Sequence, residues 1–392
     1  MNPDLKKLPA YPFERLRHLL EGVTPPDLPH ISMGIGEPRR AAPAVFLEAL
    51  AKASADFSRY PTTQGSAELR AAIAEWLSRR FHLPEVNPDT QVVPCSGTRE
   101  ALFSIAQAAV GAKGKDRVLV PNPFYQIYKG AALWSGATPT YVPALAENNF
   151  LPDYAGLPAE VLDRTAMLYL CTPANPTGAV ATMGYMERLI ELAERHDFLI
   201  VSDECYSEIY PDEAMPPPGI LEAAHRSGNT GFSRCLAFHS LSKRSNLPGA
   251  RSGFVAGDAE RLAAYLRLRT YTGCTIPLPI QTASAATWRD EAHVAAGRAD
   301  YRENFRVVGD ILSPVLPLHV PDAGFYLWLE VPDGGEAFSR KVFERCNMTV
   351  LPGAYLAQTV DGENPADRYV RMALVDTPAR CAEAARRILD VL

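Results

Sequence analysis

No two of the seven cysteines (Cys95, Cys171, Cys205, Cys235, Cys274, Cys346 and Cys381) form a Cys-x-x-Cys pair, and their number is odd. That pattern speaks against a disulfide framework and against a thiolate zinc site, so no metal is expected. Most of them lie among apolar residues, where a free thiol serves as a small core side chain in a reducing compartment. Long apolar runs are missing too. No stretch approaches the ~20 residues of a membrane span. The polar start, Met1 to Leu8, has no apolar signal core. A cytoplasmic protein that stays off the membrane is expected. Charge of one sign is also scarce: the net charge is -6, with acidic and basic residues interleaved. Nucleic-acid binding needs a basic stripe to displace phosphate counterions, and none is present. Internal repeats and low-complexity tracts are absent.

What is there is an ordinary globular composition, 47% hydrophobic and 21% charged, in 392 residues. A single core rarely grows beyond ~250–300 residues, so more than one domain is expected. Thirty-four prolines imply many rigid turns. Residues 1–40 are proline-rich and read as an arm joining a smaller domain, with one helix around Phe13–Leu20. From 41 to 285 two patterns alternate. Helical stretches fall at Ala41–Asp56, Ala67–Arg80, Thr98–Val110 and Met183–His196. Short apolar or β-branched runs fall at Gln91–Val93, Arg117–Val120, Thr138–Val142, Ala166–Leu170, Phe198–Val201, Leu236–Phe238 and Gly253–Ala256. This alternation predicts an α/β domain built on a mainly parallel sheet of seven strands flanked by helices. Residues 286–392 change texture. A charged helix near Glu291–Leu312 leads to Phe325–Glu330, a helix near Glu336–Cys346, Met348–Leu351, Tyr369–Leu374 and a terminal helix, which together predict a smaller α+β domain.

Ligands of parallel sheets sit beyond the carboxyl ends of the strands. The chemically suggestive residues follow the apolar runs directly. His239-Ser240-Leu241-Ser242-Lys243 follows Leu236–Phe238. A lysine desolvated there has a lowered pKa and can form an imine with an aldehyde. Arg251 comes eight residues later, and serine hydroxyls with an arginine suit a phosphate; a surface loop is the plain alternative. Asp203 stands at the mouth of Phe198–Val201, where a carboxylate caps a turn, binds a metal or pairs with a protonated ring nitrogen. Tyr206, three residues on, is a core aromatic or a hydrogen-bond donor to a ring oxygen. Asn175, in Thr172-Pro173-Ala174-Asn175-Pro176-Thr177-Gly178, is part of a tight turn or an amide facing a ligand. Ser96-Gly97-Thr98-Arg99-Glu100 opens a helix, as an N-cap at Ser96 or Thr98, as a phosphate cradle, or as both.

Together and in this order, these clusters resemble the class I/II aminotransferases of the aspartate aminotransferase fold type, over nearly the whole chain. The resemblance implies pyridoxal 5'-phosphate as cofactor, with Lys243 as the Schiff-base lysine and proton carrier. It implies Asp203 on the pyridine nitrogen, and Asn175 and Tyr206 on the ring oxygen. Gly97, Thr98, Ser240, Ser242 and Arg251 would hold the phosphate, with Arg99 contributing at least its backbone. Tyr125 would stack on the ring, and Tyr60 would reach the phosphate of a neighbouring subunit, which implies a homodimer. Arg371, in Tyr369-Val370-Arg371-Met372-Ala373-Leu374, would take the substrate α-carboxylate with the N–H of Gly36. The implied substrates are an amino acid and a 2-oxo acid.

The run Ser240 to Gly253 resembles bacterial succinyldiaminopimelate aminotransferases, which implies transfer between L-glutamate and N-succinyl-2-amino-6-oxopimelate. The extra carboxylates of that substrate call for a further cation, and the candidates are Arg39, Arg40 and the segment Arg269–Thr272. Three rivals stand beside this reading. Other aminotransferases and carbon–sulfur lyases share the scaffold. A nicotinamide site at Gly34-x-Gly36 lacks its third glycine and its strand-to-helix turn. A regulator derived from the family is expected to carry an added DNA-binding domain, and none is expected ahead of the arm.

Overall fold

Strands that are apolar at every position need cover on both faces, and the central runs of this chain have that character. The computed structural model describes residues 3–273 and 275–392. Its strands are β1 (Ile31–Ser32), β2 (Val92–Cys95), β3 (Arg117–Asn122), β4 (Thr138–Pro143), β5 (Thr165–Cys171), β6 (Leu199–Asp203), β7 (Cys235–Ser240), β8 (Gly253–Gly257), β9 (Tyr326–Glu330), β10 (Met348–Thr349), β11 (Leu351–Pro352) and β12 (Tyr369–Ala373).

Seven of them form one sheet in the order β2-β8-β7-β6-β5-β3-β4. The pairs from β7 to β4 are parallel, while β8 runs antiparallel to both β7 and β2. The sheet is thus mainly parallel, as the alternating pattern predicts. Successive residues of one strand serve two cores. Leu168 and Leu170 of β5 join a cluster with Trp76, Leu189, Ile220 and Trp288, whereas Met167 and Tyr169 join one with Leu102, Tyr128 and Tyr265. Helices therefore cover both faces, and the strands read as continuous apolar runs.

A second sheet, β11-β12-β9, is antiparallel. It packs with the helices Ala292–Leu312, Gly335–Cys346 and Pro378–Leu389 around Leu329, Val342, Val370 and Ile388. The N-terminal segment joins this part, because β1 pairs in parallel with β10.

Several local expectations shift. The predicted helix over 41–56 begins at Ala44, since Pro43 holds extended geometry at its N-cap, and it ends at Ala53 in a 3-10 turn, Ser54–Ser58. The run 348–351 is two strands rather than one, because β10 pairs with β1 and β11 with β12. The helices Ala259–Thr272 and Leu278–Arg289 precede the long charged helix without having been marked by the sequence pattern. Cys95, Cys171, Cys235, Cys346 and Cys381 are buried free thiols, as expected; Cys205 is only partly buried, and Cys274, like Met1, lies outside the described residues. Among the described residues, no helix is long and apolar enough to cross a membrane, and no group of three or more His, Cys, Asp or Glu side chains could hold a metal ion.

Candidate active site

The carboxyl ends of β5, β6 and β7 open into a cavity of about 470 Å³, within the ordinary range of small-molecule sites. Its wall includes Gly36, Thr98, Arg99, Tyr125, Asn175, Asp203, Tyr206, Ser240, Ser242, Lys243, Arg251 and Arg371. Residues spread over most of the chain thus meet in one place.

Lys243 sits in the short helix Leu241–Arg244, one turn beyond the end of β7. Ser240 caps this helix, its Oγ accepting from the Ser242 N–H at 3.1 Å. The next residue, Arg244, is buried and donates to the carbonyls of Thr287 and Asp290 and to Glu291, which pins the helix from below. Lys243 Nζ donates to the Gly36 carbonyl and lies 5.4 Å from the Phe325 ring centre. Burial lowers its pKa to about 8, since the ammonium loses hydration that its neighbours replace only in part.

Asp203 ends β6 and is buried. Burial pushes its carboxyl above the usual range, while the N–H of Cys205 (3.3 Å) and the hydroxyl of Tyr128 (2.6 Å) favour the anion. Tyr128 is held in turn by stacking on Tyr169, with ring centres 4.3 Å apart. Nothing in the sequence pattern marks Tyr128 for this site; it lies in the helix Gln126–Trp134, which that pattern did not mark either.

Arg371 comes from β12 of the other sheet and is only 4% exposed. Its guanidinium donates to Asn175 Oδ1 and to the Gly34 carbonyl, each at 2.8 Å, and its Nε has no partner among the described residues. A Cβ on Gly36 would overlap the Tyr326 hydroxyl, so the chain passes there with no room for a side chain. Tyr326 OH is 3.1 Å from Tyr206 OH.

At the opposite end Gly97, with φ +83°, is the N-cap of the helix Thr98–Ala109. The expected cap at Ser96 or Thr98 is therefore displaced to Gly97, and Glu100 instead accepts the Ser96 N–H at 3.1 Å. A Cβ on Gly97 would overlap the Arg251 guanidinium. Gly97 borders the cavity without lining it. Cys205 Sγ lies 3.0 Å from Thr98 Oγ1 in the wall between.

Other expectations land elsewhere. Tyr60 is 98% exposed and is not part of this wall. Arg39 pairs with Asp376 and Arg40 with Asp300, while Arg269 is buried against Glu100 at 2.6 Å. Each of these guanidinium groups pairs with a carboxylate of its own chain, and none lines the cavity of that chain.

The donor set suits pyridoxal 5'-phosphate. A helix N-terminus, an open glycine, hydroxyls from Thr98, Ser240 and Ser242, and Arg251 surround one end, as a phosphate requires. A buried carboxylate and a desolvated amine line the same space, the pair that a pyridine ring with an aldehyde requires.

Comparison with known proteins agrees. The sequence profile of the family "aminotransferase class I and II" matches residues 29–388. LL-diaminopimelate aminotransferase 2 of Trichormus variabilis is 33% identical, over 98% of this chain and 97% of that protein. An aminotransferase structure from Neisseria meningitidis superposes with a TM-score of 0.95 at 43% identity, over 100% of this chain and 99% of that one. A probable N-succinyldiaminopimelate aminotransferase from Thermus thermophilus superposes at 0.85 with 26% identity, over 97% and 100%.

Proposed function

The chain belongs to the class I and II aminotransferases, which use pyridoxal 5'-phosphate, and from that premise we propose that it moves an amino group between L-glutamate and the keto carbon of N-succinyl-2-amino-6-oxopimelate. The observation that carries aminotransfer is that Lys243, Asp203 and Arg371 open on one cavity. The substrate reading rests on the resemblance of Ser240 to Gly253, and it is supported by the diaminopimelate substrates named for two of the similar proteins. The first of these favours a second reading, LL-diaminopimelate itself.

When bound, the cofactor supplies an aldehyde that takes up the amino group and a protonated ring that withdraws electrons from the substrate α-carbon. The rest is done by the chain. Arg371 binds the substrate α-carboxylate through its fork, and Asn175, already hydrogen-bonded to it, keeps that fork in place. Lys243, the buried amine of the cavity, would be the residue that bonds the aldehyde at rest and serves as base once released. Its lowered pKa leaves part of it neutral near pH 7, able to take the proton of the substrate α-carbon as a base and then to give it up as an acid. Asp203, whose carboxylate accepts from Tyr128 and from the N–H of Cys205, would pair with the protonated ring nitrogen. In this reading Tyr125 stacks on the ring, Tyr206 donates to its oxygen, and Tyr60 serves a second copy of the chain. The division into an arm (1–40), a large domain (41–285) and a small domain (286–392), a homodimer and a cytoplasmic location belong to the same proposal.

The test is the visible absorption of the cofactor-loaded protein on adding N-succinyl-LL-diaminopimelate, LL-diaminopimelate, L-aspartate or L-alanine separately. Rapid loss with the first, reversed by 2-oxoglutarate, is the expected result. A response to unsuccinylated diaminopimelate alone would select the second reading. A response only to aspartate or alanine would sink both.

A further inference from the structure

The ladder between β6 and β7 stops where the chemistry begins. Its last paired residues are Asp203 and Phe238, followed by one bond from the Glu204 N–H to the Phe238 carbonyl at 3.0 Å. The next side chains on the two strands are Glu204 and His239, 1% and 2% exposed, and the reaction as described uses neither. Glu204 is the neighbour of Asp203 and stands two positions before Tyr206. His239 is the neighbour of Ser240 and stands four positions before Lys243. Across the gap, His239 Nε2 lies 3.2 Å from Glu204 Oε2. The other oxygen, Oε1, accepts from the Ser202 hydroxyl and from the Ile220 N–H, each at 2.8 Å. The nearby guanidinium groups are engaged elsewhere, Arg80 with Glu208 and Arg244 with Glu291. The imidazole is itself confined: the ring centres of Trp76, Phe254 and Phe81 stand 5.1, 5.2 and 5.5 Å away, and Nδ1 is 3.5 Å from Ser207 Oγ.

A carboxylate cut off from water needs donors on both oxygens. An Nε2 without a hydrogen would turn a lone pair on Glu204 Oε2, so the contact requires Nε2–H. We propose that His239 is a positioning residue: its Nε2–H holds Glu204, and so fixes the end of β6, with Asp203 and Tyr206, against the end of β7, with Ser240 and Lys243. The carboxylate that meets the ring nitrogen and the amine that meets the aldehyde are then kept at a constant separation. This role rests on Asp203 meeting the ring nitrogen, not on which amino acid is the substrate.

The experiment measures binding to the cofactor-free protein, not turnover. Fluorescence titrations use pyridoxal phosphate and its analogue with C–H in place of the ring nitrogen. The ratio of the two affinities within one protein reads the Asp203 contact, because a general loss of binding cancels. His239→Phe keeps an aromatic ring in the pocket and removes the N–H; it is expected to shrink the preference for pyridoxal phosphate roughly three- to thirtyfold. His239→Gln packs less well but returns an amide N–H toward Glu204, and it should restore most of the preference. A merely structural role would reverse that order, since a phenyl ring fills the space among three aromatic rings better than an amide does. His239→Leu serves as the variant without a donor if His239→Phe does not fold. A ratio unchanged in the donorless variant, or a smaller loss there than in His239→Gln, would overturn the proposal. A wild type with no preference for pyridoxal phosphate would retire the pairing of Asp203 with the ring, and the role of His239 with it. A wild-type preference that survives in every variant retires His239 alone.

Discussion

At the scale of single residues, the chemistry turns on how burial treats two opposite charges. Lys243 and Asp203 are both removed from water, which disfavours the ammonium of one and the carboxylate of the other. Asp203 is given donors that favour its charge, whereas Lys243 has one carbonyl and the face of Phe325. The outcome is an amine titrating near 8. About a tenth of such an amine is neutral at pH 7, several hundredfold more than for an ordinary lysine. Only the neutral form attacks an aldehyde. The rate at which Lys243 captures added pyridoxal phosphate in the cofactor-free protein should therefore rise about tenfold per pH unit below pH 8 and level off above it. Stopped-flow absorbance across pH 6 to 10 reads this directly. A rate that kept climbing to pH 10 would mean that Lys243 is not desolvated as the structure has it.

At the scale of elements, the site is a set of strand ends, which explains what can and cannot be read from the sequence. The central runs, 166–170, 198–201, 236–238 and 253–256, were legible because strands covered on both faces carry few polar positions, whereas the edge strand Thr138–Pro143 keeps Thr138 exposed. The polar residues just past them, Asn175, Asp203 and Lys243, stand out for the same reason. The two helices at Ala259–Thr272 and Leu278–Arg289 were not legible: the first buries the cationic Arg269, and the second buries the polar side chains Gln281, Ser284 and Thr287, so neither shows a clean apolar stripe. Tyr128 was hidden differently. It earns its place only through a partner 75 positions away. The strand-to-helix turn at Gly97 is where an element boundary can be tested. Alanine there takes on the cost of a positive φ, roughly 1–2 kcal/mol, and its Cβ occupies the space of the Arg251 guanidinium. Gly97→Ala should weaken pyridoxal phosphate binding about tenfold or more, as a phosphate contact is displaced. Fluorescence titration of the cofactor-free protein measures it, and wild-type affinity would exclude this turn as the phosphate end.

At the scale of the whole molecule, the cavity draws on both sheets, yet Tyr60 stays out of it. Tyr60 is 98% exposed, so its ring packs against almost nothing in its own chain. The dimer proposal supplies a neighbour, and it makes a demand that a monomer cannot meet. If Tyr60 completes the phosphate end of its neighbour, each site is built from two chains, and two different defects can complement each other. Tyr60→Ala spoils the partner's site, and Lys243→Ala spoils its own. In a mixed dimer, one of the two sites then combines an intact Lys243 with an intact Tyr60. Random assortment makes about half of the dimers mixed, each with one complete site, so co-expression should give about a quarter of the wild-type specific activity. Each variant expressed alone should fall well below that value. Activity in the mixture no higher than the average of the separate variants would show that Tyr60 acts, if at all, within its own chain. Sedimentation at the assay concentration gives the second check, because a monomer that binds the cofactor at full strength leaves Tyr60 with nothing to reach.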